Sequence, residues 1–227
     1  LPRCWSTITC DGPGFRLASF IIDCMNKRTA IKSITACALL LGAAGLFTAC
    51  SPNAPQFTAI DITGADYAKG FALTDHNGQA RTLKDFEGKI VMVFFGYTQC
   101  PEVCPTSMLE MVRIKQLLGK EGERVQGLFV TIDPERDKPE MLKEYMAAFD
   151  PTFLALVPTP EQLTVLAKDY KVYYKKVDGP TPTSYTMDHT AGSYVYDTRG
   201  KLRLFTRYGT KPELTAADIR QLLASAP

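Results

Sequence analysis

From about residue 60 onward, the hydrophobic pattern divides the chain into short runs of alternating period. "FALTD" and "ARTL" flank His76-Asn77-Gly78-Gln79. An Asn-Gly pair between two strand-like runs predicts a β-hairpin, with His76 as a turn residue. "KIVMVFFGY" is an unbroken apolar run of strand length, the pattern of a strand covered on both faces. In "TSMLEMVRIKQLLGKEG" the apolar positions Met108, Met111, Val112, Ile114, Leu117 and Leu118 recur at helical spacing, and Gly119 or Gly122 supplies the stop. "VQGLFVTID" predicts a second buried strand. Pro139 to Phe149 reads as a helix with proline near its first position. "FLALVP" is a short strand, and Thr159, Pro160 and Gln162 open a helix through "TPEQLTVLAKDY". "KVYYKKV" predicts another strand, Gly179 to Thr183 a loop, and "AGSYVYDTRGKLRLFTRYG" a hairpin turning at Asp197 to Gly200. "LTAADIRQLLASA" closes the chain as a helix with Thr215 as N-cap. Alternating strands and helices, ending in a hairpin and a helix, predict an α/β fold: a mixed central β-sheet, helices on both faces and an N-terminal β-hairpin.

The front of the chain follows a different pattern. Met25 begins a segment with Lys27, Arg28 and Lys32, an uncharged and mostly apolar stretch from Ile34 to Phe47, then small residues before Cys50 and a break at Ser51-Pro52-Asn53. That is the outline of a bacterial secretory signal, and the stretch is short of the ~20 apolar residues a membrane span needs. "FTAC" resembles a lipoprotein signal, with Phe47 where leucine is usual. The expectation is a chain lipid-anchored at Cys50 on the extracytoplasmic (periplasmic) face of a bacterial membrane, a retained N-terminal anchor being the alternative. Residues 1–24 precede a plausible start and read as upstream sequence. The domain plan is therefore 1–24 extension, 25–50 signal peptide, 51–59 linker and 60–227 folded domain.

Composition narrows the function. Of 227 residues, 45% are hydrophobic and 22% charged, with a net charge of +2 and no clustered basic run. This is globular composition, and it argues against nucleic acid as a partner. Cys4, Cys10, Cys24, Cys37 and Cys50 lie at the front, leaving only Cys100 and Cys104 in the folded part. A disulfide-dense scaffold is excluded.

"QCPEVCPTSM" places those two cysteines at the start of a helix. Pro105 is suited to the first helical position, which makes Cys104 the expected N-cap and puts Cys100 in the preceding loop. The positive end of the helix would lower both thiol pKa values. A disulfide needs Cβ atoms about 3.5–4.5 Å apart, closer than two positions four apart on a regular helix, so a bridge requires a loop conformation. A metal tolerates sulfurs up to about 4.6 Å apart. His189, in "SYTMDHTAGSYVYD", reaches this loop if the late strand lies beside the first buried one. Two thiolates and an imidazole suit Cu(I), imidazole also suits Cu(II), and zinc accepts the same set. Equally, a lone histidine beside an aspartate can be structural. Asp188 is a candidate to orient His189 through its other nitrogen.

"FFGYTQCPEVCPTSM", "VTIDPERDKPEMLKEY", "FLALVPTPEQLTVLAKDYKVYY" and "MDHTAGSYVYDTRGKL" together resemble the Sco/SenC family of cytochrome c oxidase assembly proteins, over roughly Phe71 to Tyr208. The resemblance implies a thioredoxin-like fold and a copper site of Cys100, Cys104 and His189. It implies copper delivery to, or cysteine reduction in, the binuclear copper site of the oxidase, with an upstream copper donor and a thiol reductant as further partners. Gln99 stands where many members have histidine. Asp133, Glu135, Arg136 and Asp137 are expected to shape a loop near the site. The rival reading is an extracytoplasmic thiol–disulfide oxidoreductase without a metal role, although that class usually separates its cysteines by two residues rather than three. A peroxidase, suggested by Val103-Cys104-Pro105-Thr106, fits less well because Pro101 stands where that chemistry places Thr or Ser. A purely structural disulfide closing so short a loop would stabilise little.

Overall fold

The computed structural model describes residues 56–181 and 184–225. The expected signal peptide, the extension before it, Cys50 and linker residues 51–55 lie outside the described residues. Among those described, no helix is long and apolar enough to cross a membrane.

The sheet is built on two strands that read as buried and are buried: β4 (Ile90–Gly96) and β5 (Val125–Thr131). They pair in parallel from Ile90↔Val125 to Gly96↔Thr131. The crossover between them is helix α1 (Val103–Leu118), which Gly119 ends at φ 61°, a conformation glycine adopts without cost. β6 (Leu154–Val157) continues the parallel set beyond β5, after helix α2 (Pro139–Ala147). Helix α3 (Pro160–Tyr170) begins with the expected capping box between Thr159 and Gln162.

On the other side of β4, β9 (Gly192–Tyr196) runs antiparallel and hairpins into β10 (Leu202–Arg207), followed by helix α4 (Pro212–Ala224). A two-residue strand β1 (Ile60–Asp61) pairs with β10, and the hairpin of β2 (Ala72–Asp75) and β3 (Ala80–Thr82) joins the far edge through β6. The order is β1-β10-β9-β4-β5-β6-β2-β3. The β4-α1-β5 unit beside β9-β10-α4 is the expected thioredoxin-like arrangement. "KVYYKKV" does form a strand, β7 (Tyr174–Asp178), but it stands outside this sheet and pairs with β8 (Tyr185–His189).

Alternation along β4 sends Phe94 and Phe95 to opposite faces. Phe94 meets Phe129, on which Tyr145 of α2 packs, while Phe95 meets Tyr170 of α3. Helices therefore cover both faces, and α4 lies against α1.

Two expected helix starts are corrected. α1 begins at Val103 with Glu102 as N-cap, so Cys104 is its second residue and Pro105 its third. Proline is tolerated there because no N–H of the first turn has an intrahelical partner, and the first regular bond, from Thr106 N–H to the Glu102 carbonyl, follows immediately. α4 begins at Pro212 with Lys211 as N-cap. Thr215 is an interior, buried residue rather than a cap, because proline at the first position is already set for the helix.

Candidate metal centre

The carboxyl end of β4 gathers three loops. The chain leaves β4 at Gly96 and passes through the cysteine segment into α1. Beside it, β5 ends at Thr131 and enters the Asp133–Asp137 segment. On the other side β9 is antiparallel, with Ser193 opposite Phe94, so the residues just before β9 arrive at the same end. His189 is among them.

Cys100, Cys104 and His189 consequently converge, with one donor atom from each all within 4.8 Å of one another. Cys104 Sγ lies 3.5 Å from His189 Nε2. Bond lengths of about 2.3 Å to sulfur and 2.0 Å to nitrogen, at 120°, place such donors about 3.7 Å apart. Both cysteines are unbridged, Cys104 fully buried and Cys100 half-buried. The cysteine loop caps its own helix: the Cys104 N–H donates to Cys100 Sγ at 3.4 Å.

His189 is held by its other ring nitrogen. Nδ1 lies 3.0 Å from the Thr190 carbonyl, to which it donates, leaving the Nε2 lone pair facing the sulfurs. This replaces the expected role of Asp188. Alternation along β8 places Asp188 on the opposite face, where it is exposed. Burial lowers the His189 pKa, outweighing the opposing hydrogen bond to Thr190 and the charge of Asp188, which keeps the imidazole neutral. Phe94 and Tyr97 wall the ring edge-on, each with its centroid 6.0 Å away.

The expected activation of Cys104 is also corrected. Burial pushes its thiol well up, against a hydrogen bond from the Tyr97 backbone that pulls it down. Desolvation of a fully buried thiolate exceeds what a helix end supplies.

Sequence reading placed Asp133, Arg136 and Asp137 near the site but left their role open. Buried Asp137 accepts from the Thr98 N–H, the Thr98 hydroxyl at 2.5 Å and the Thr131 hydroxyl at 2.6 Å, which ties the cysteine loop to the end of β5. Asp133 accepts from Arg136 Nε and from the Tyr185 hydroxyl at 2.8 Å. Arg136 stacks 3.5 Å from the Tyr185 ring centroid and donates to the Tyr185 carbonyl and to Gln99. Tyr185 opens the strand that ends in His189. The acidic loop thus holds both the cysteine segment and the histidine hairpin, and exposed Glu135 adds a surface ion pair to Lys176 of β7 at 3.6 Å. His76 plays no part here: its Nδ1 accepts from the Ala155 N–H, beside the β2–β3 turn.

Gly96 was missed, and its signal was a glycine ending a buried strand. A Cβ there would stand 2.7 Å from Phe94 and 2.9 Å from both Cys104 Sγ and Phe129.

The SCO1/SenC family model matches residues 61–224. An SCO2-like protein of Rickettsia felis is 34% identical over 181 residues, 77% of this chain and 88% of the relative. Among solved structures, copper-bound ScoI of Bradyrhizobium japonicum is 40% identical with a TM-score of 0.61, over 67% of this chain and 97% of that one. Copper-bound yeast Sco1 is 30% identical with a TM-score of 0.62, over 70% of this chain and 88% of that one. A match that begins in β1 and ends with the last residue of α4 takes in nearly all of the described domain, and the chain belongs to the SCO1/SenC family.

Proposed function

We propose that this chain is a copper-binding assembly factor that carries one copper ion on Cys100, Cys104 and His189 for the binuclear copper site of cytochrome c oxidase. The observation that carries the reading is the convergence of two unbridged thiols and one imidazole, from segments 85 residues apart, within 4.8 Å. Two soft thiolates and an imidazole form a Cu(I) donor set, and the imidazole also serves Cu(II). Copper here is cargo: half-exposed Cys100 leaves one side of the site open to an incoming ligand. The sequence from Met25 to Cys50 supports export and a tether at the membrane, through lipid on Cys50 or a retained anchor.

Copper content and Cu(I) affinity of the reduced chain, beside Cys100→Ser and His189→Ala, test the reading. One tightly held copper per chain, lost or weakened at least a hundredfold in both variants, is the expected result.

The same dithiol supports a second activity. Oxidation of Cys100 and Cys104 to a disulfide would release two electrons and two protons, reducing one disulfide on a partner to two thiols. A chain with no specific copper, whose dithiol exchange ignores His189→Ala, would move the assignment to a thiol reductase acting on the oxidase cysteines.

A further inference from the structure

Tyr145 lies on α2, and its hydroxyl is buried with no hydrogen-bond partner among the described residues. A buried phenol ordinarily finds an acceptor, so an unpaired one points to a partner that arrives in another state of the protein. The ring is fixed against Phe129 and Phe149, with centroids 5.7 Å and 5.0 Å away. Phe129 borders the site, since a Cβ on Gly96 would meet Phe129 and Cys104 Sγ at the same 2.9 Å.

Met141 and Tyr145 form a column one turn apart on α2, the first of them beside Thr98 of the cysteine loop, and Asp137 stands just before the helix. Asp137 accepts from Thr98, and Met141 Sδ lies 3.4 Å from the same Thr98 hydroxyl. Tyr145 is next in that column. Burial raises the Tyr145 pKa, and negative charge on Cys104, Cys100 or Asp137 would raise it further. Asp137 already accepts from the Thr98 N–H and from two hydroxyls. Cys104 Sγ, by contrast, is a poor acceptor as a thiol and becomes a strong one as a thiolate.

We propose that Tyr145 is a positioning residue whose O–H donates to the Cys104 thiolate of the copper-loaded site and lowers that sulfur's electron donation to the metal. The proposal rests on the copper reading above. Cu(II) depends on thiolate donation more than Cu(I) does, so the hydrogen bond tilts the site toward Cu(I), as hydrogen bonds to a copper-bound cysteine sulfur tune potential elsewhere.

Tyr145→Phe keeps the ring and deletes the donor. In the copper-loaded full chain the expected result is a thiolate-to-Cu(II) absorption band moved to longer wavelength. The ratio of Cu(II) to Cu(I) affinity rises about tenfold, the scale of one hydrogen bond to a charged group. A purely structural tyrosine would change stability and leave band and ratio in place, and that result overturns the proposal. Should the Phe variant lose its fold, fluorotyrosine at position 145 replaces it. Its more acidic O–H shifts the band to shorter wavelength, and no shift overturns the proposal. Absence of copper on the wild-type chain would overturn the metal reading and this inference together, whereas copper with an unchanged band removes this inference alone.

Discussion

Gly96 stands where the chain can least accept a side chain, because Cys104 Sγ and two phenylalanine rings already occupy the place of its Cβ. Gly96→Ala is expected to cost about 1–3 kcal/mol, the usual penalty of overpacking. It should also weaken copper binding by moving Cys104, so urea unfolding and copper titration should report losses together. Asp137 offers a test in pH. Burial raises its pKa, and the hydrogen bonds from Thr131 and Thr98 only partly offset that. The folded chain therefore holds this proton more tightly than the unfolded chain does. Its contribution to stability is greatest in acid and falls as pH rises from the ordinary aspartate value through the raised one. Asp137→Asn lacks that slope, so its stability deficit relative to wild type should narrow as pH rises through that window, read by urea unfolding at a series of pH values.

The hairpin of β7 and β8 shows how far the elements were legible. β4 and β5 announced themselves as continuous apolar runs, and α3 by its capping box, because burial and capping are written locally. The placement of β7 outside the main sheet, and β8 itself, were not legible. "YTMDH" carries little apolar signal, and the hairpin's position depends on Asp133 and Arg136, far away in sequence. The three residues that converge could be read from spacing and resemblance, but their supports could not: Thr190 rather than Asp188 behind His189, and Tyr185 as the hairpin's fastening. Tyr185→Ala removes both the hydroxyl bond to Asp133 and the ring under Arg136. The expected outcome is about tenfold weaker copper binding with little change in global stability, since a local opening involves only this hairpin. Faster hydrogen exchange confined to residues 174–189 would check it.

For the molecule as a whole, copper should act as a stabilising ligand. A metal held at 100 times its dissociation constant adds about 2.7 kcal/mol. Thermal unfolding of the reduced chain should therefore rise on loading with Cu(I), fall back with a chelator, and show no response once Cys100 and Cys104 are oxidised. Acid should act in the opposite sense through three carboxylates. Burial pushes Asp75, Asp150 and Asp197 up, but Arg81, Lys115, Arg199 and Arg203, together with backbone N–H groups, hold each below the usual range. Their contribution is complete above the ordinary aspartate value and is lost as pH falls through their folded values, so stability should decline below about pH 4. The placement of β9 along β4 has a further consequence, which concerns timing. In an unfolded chain the two thiols are neighbours, but the imidazole is 85 residues beyond the second. Closing so long a loop is deferred until non-local strands pair. The third donor therefore joins the two sulfurs only once β9 has paired with β4, and capture of the metal by all three donors becomes a checkpoint on folding.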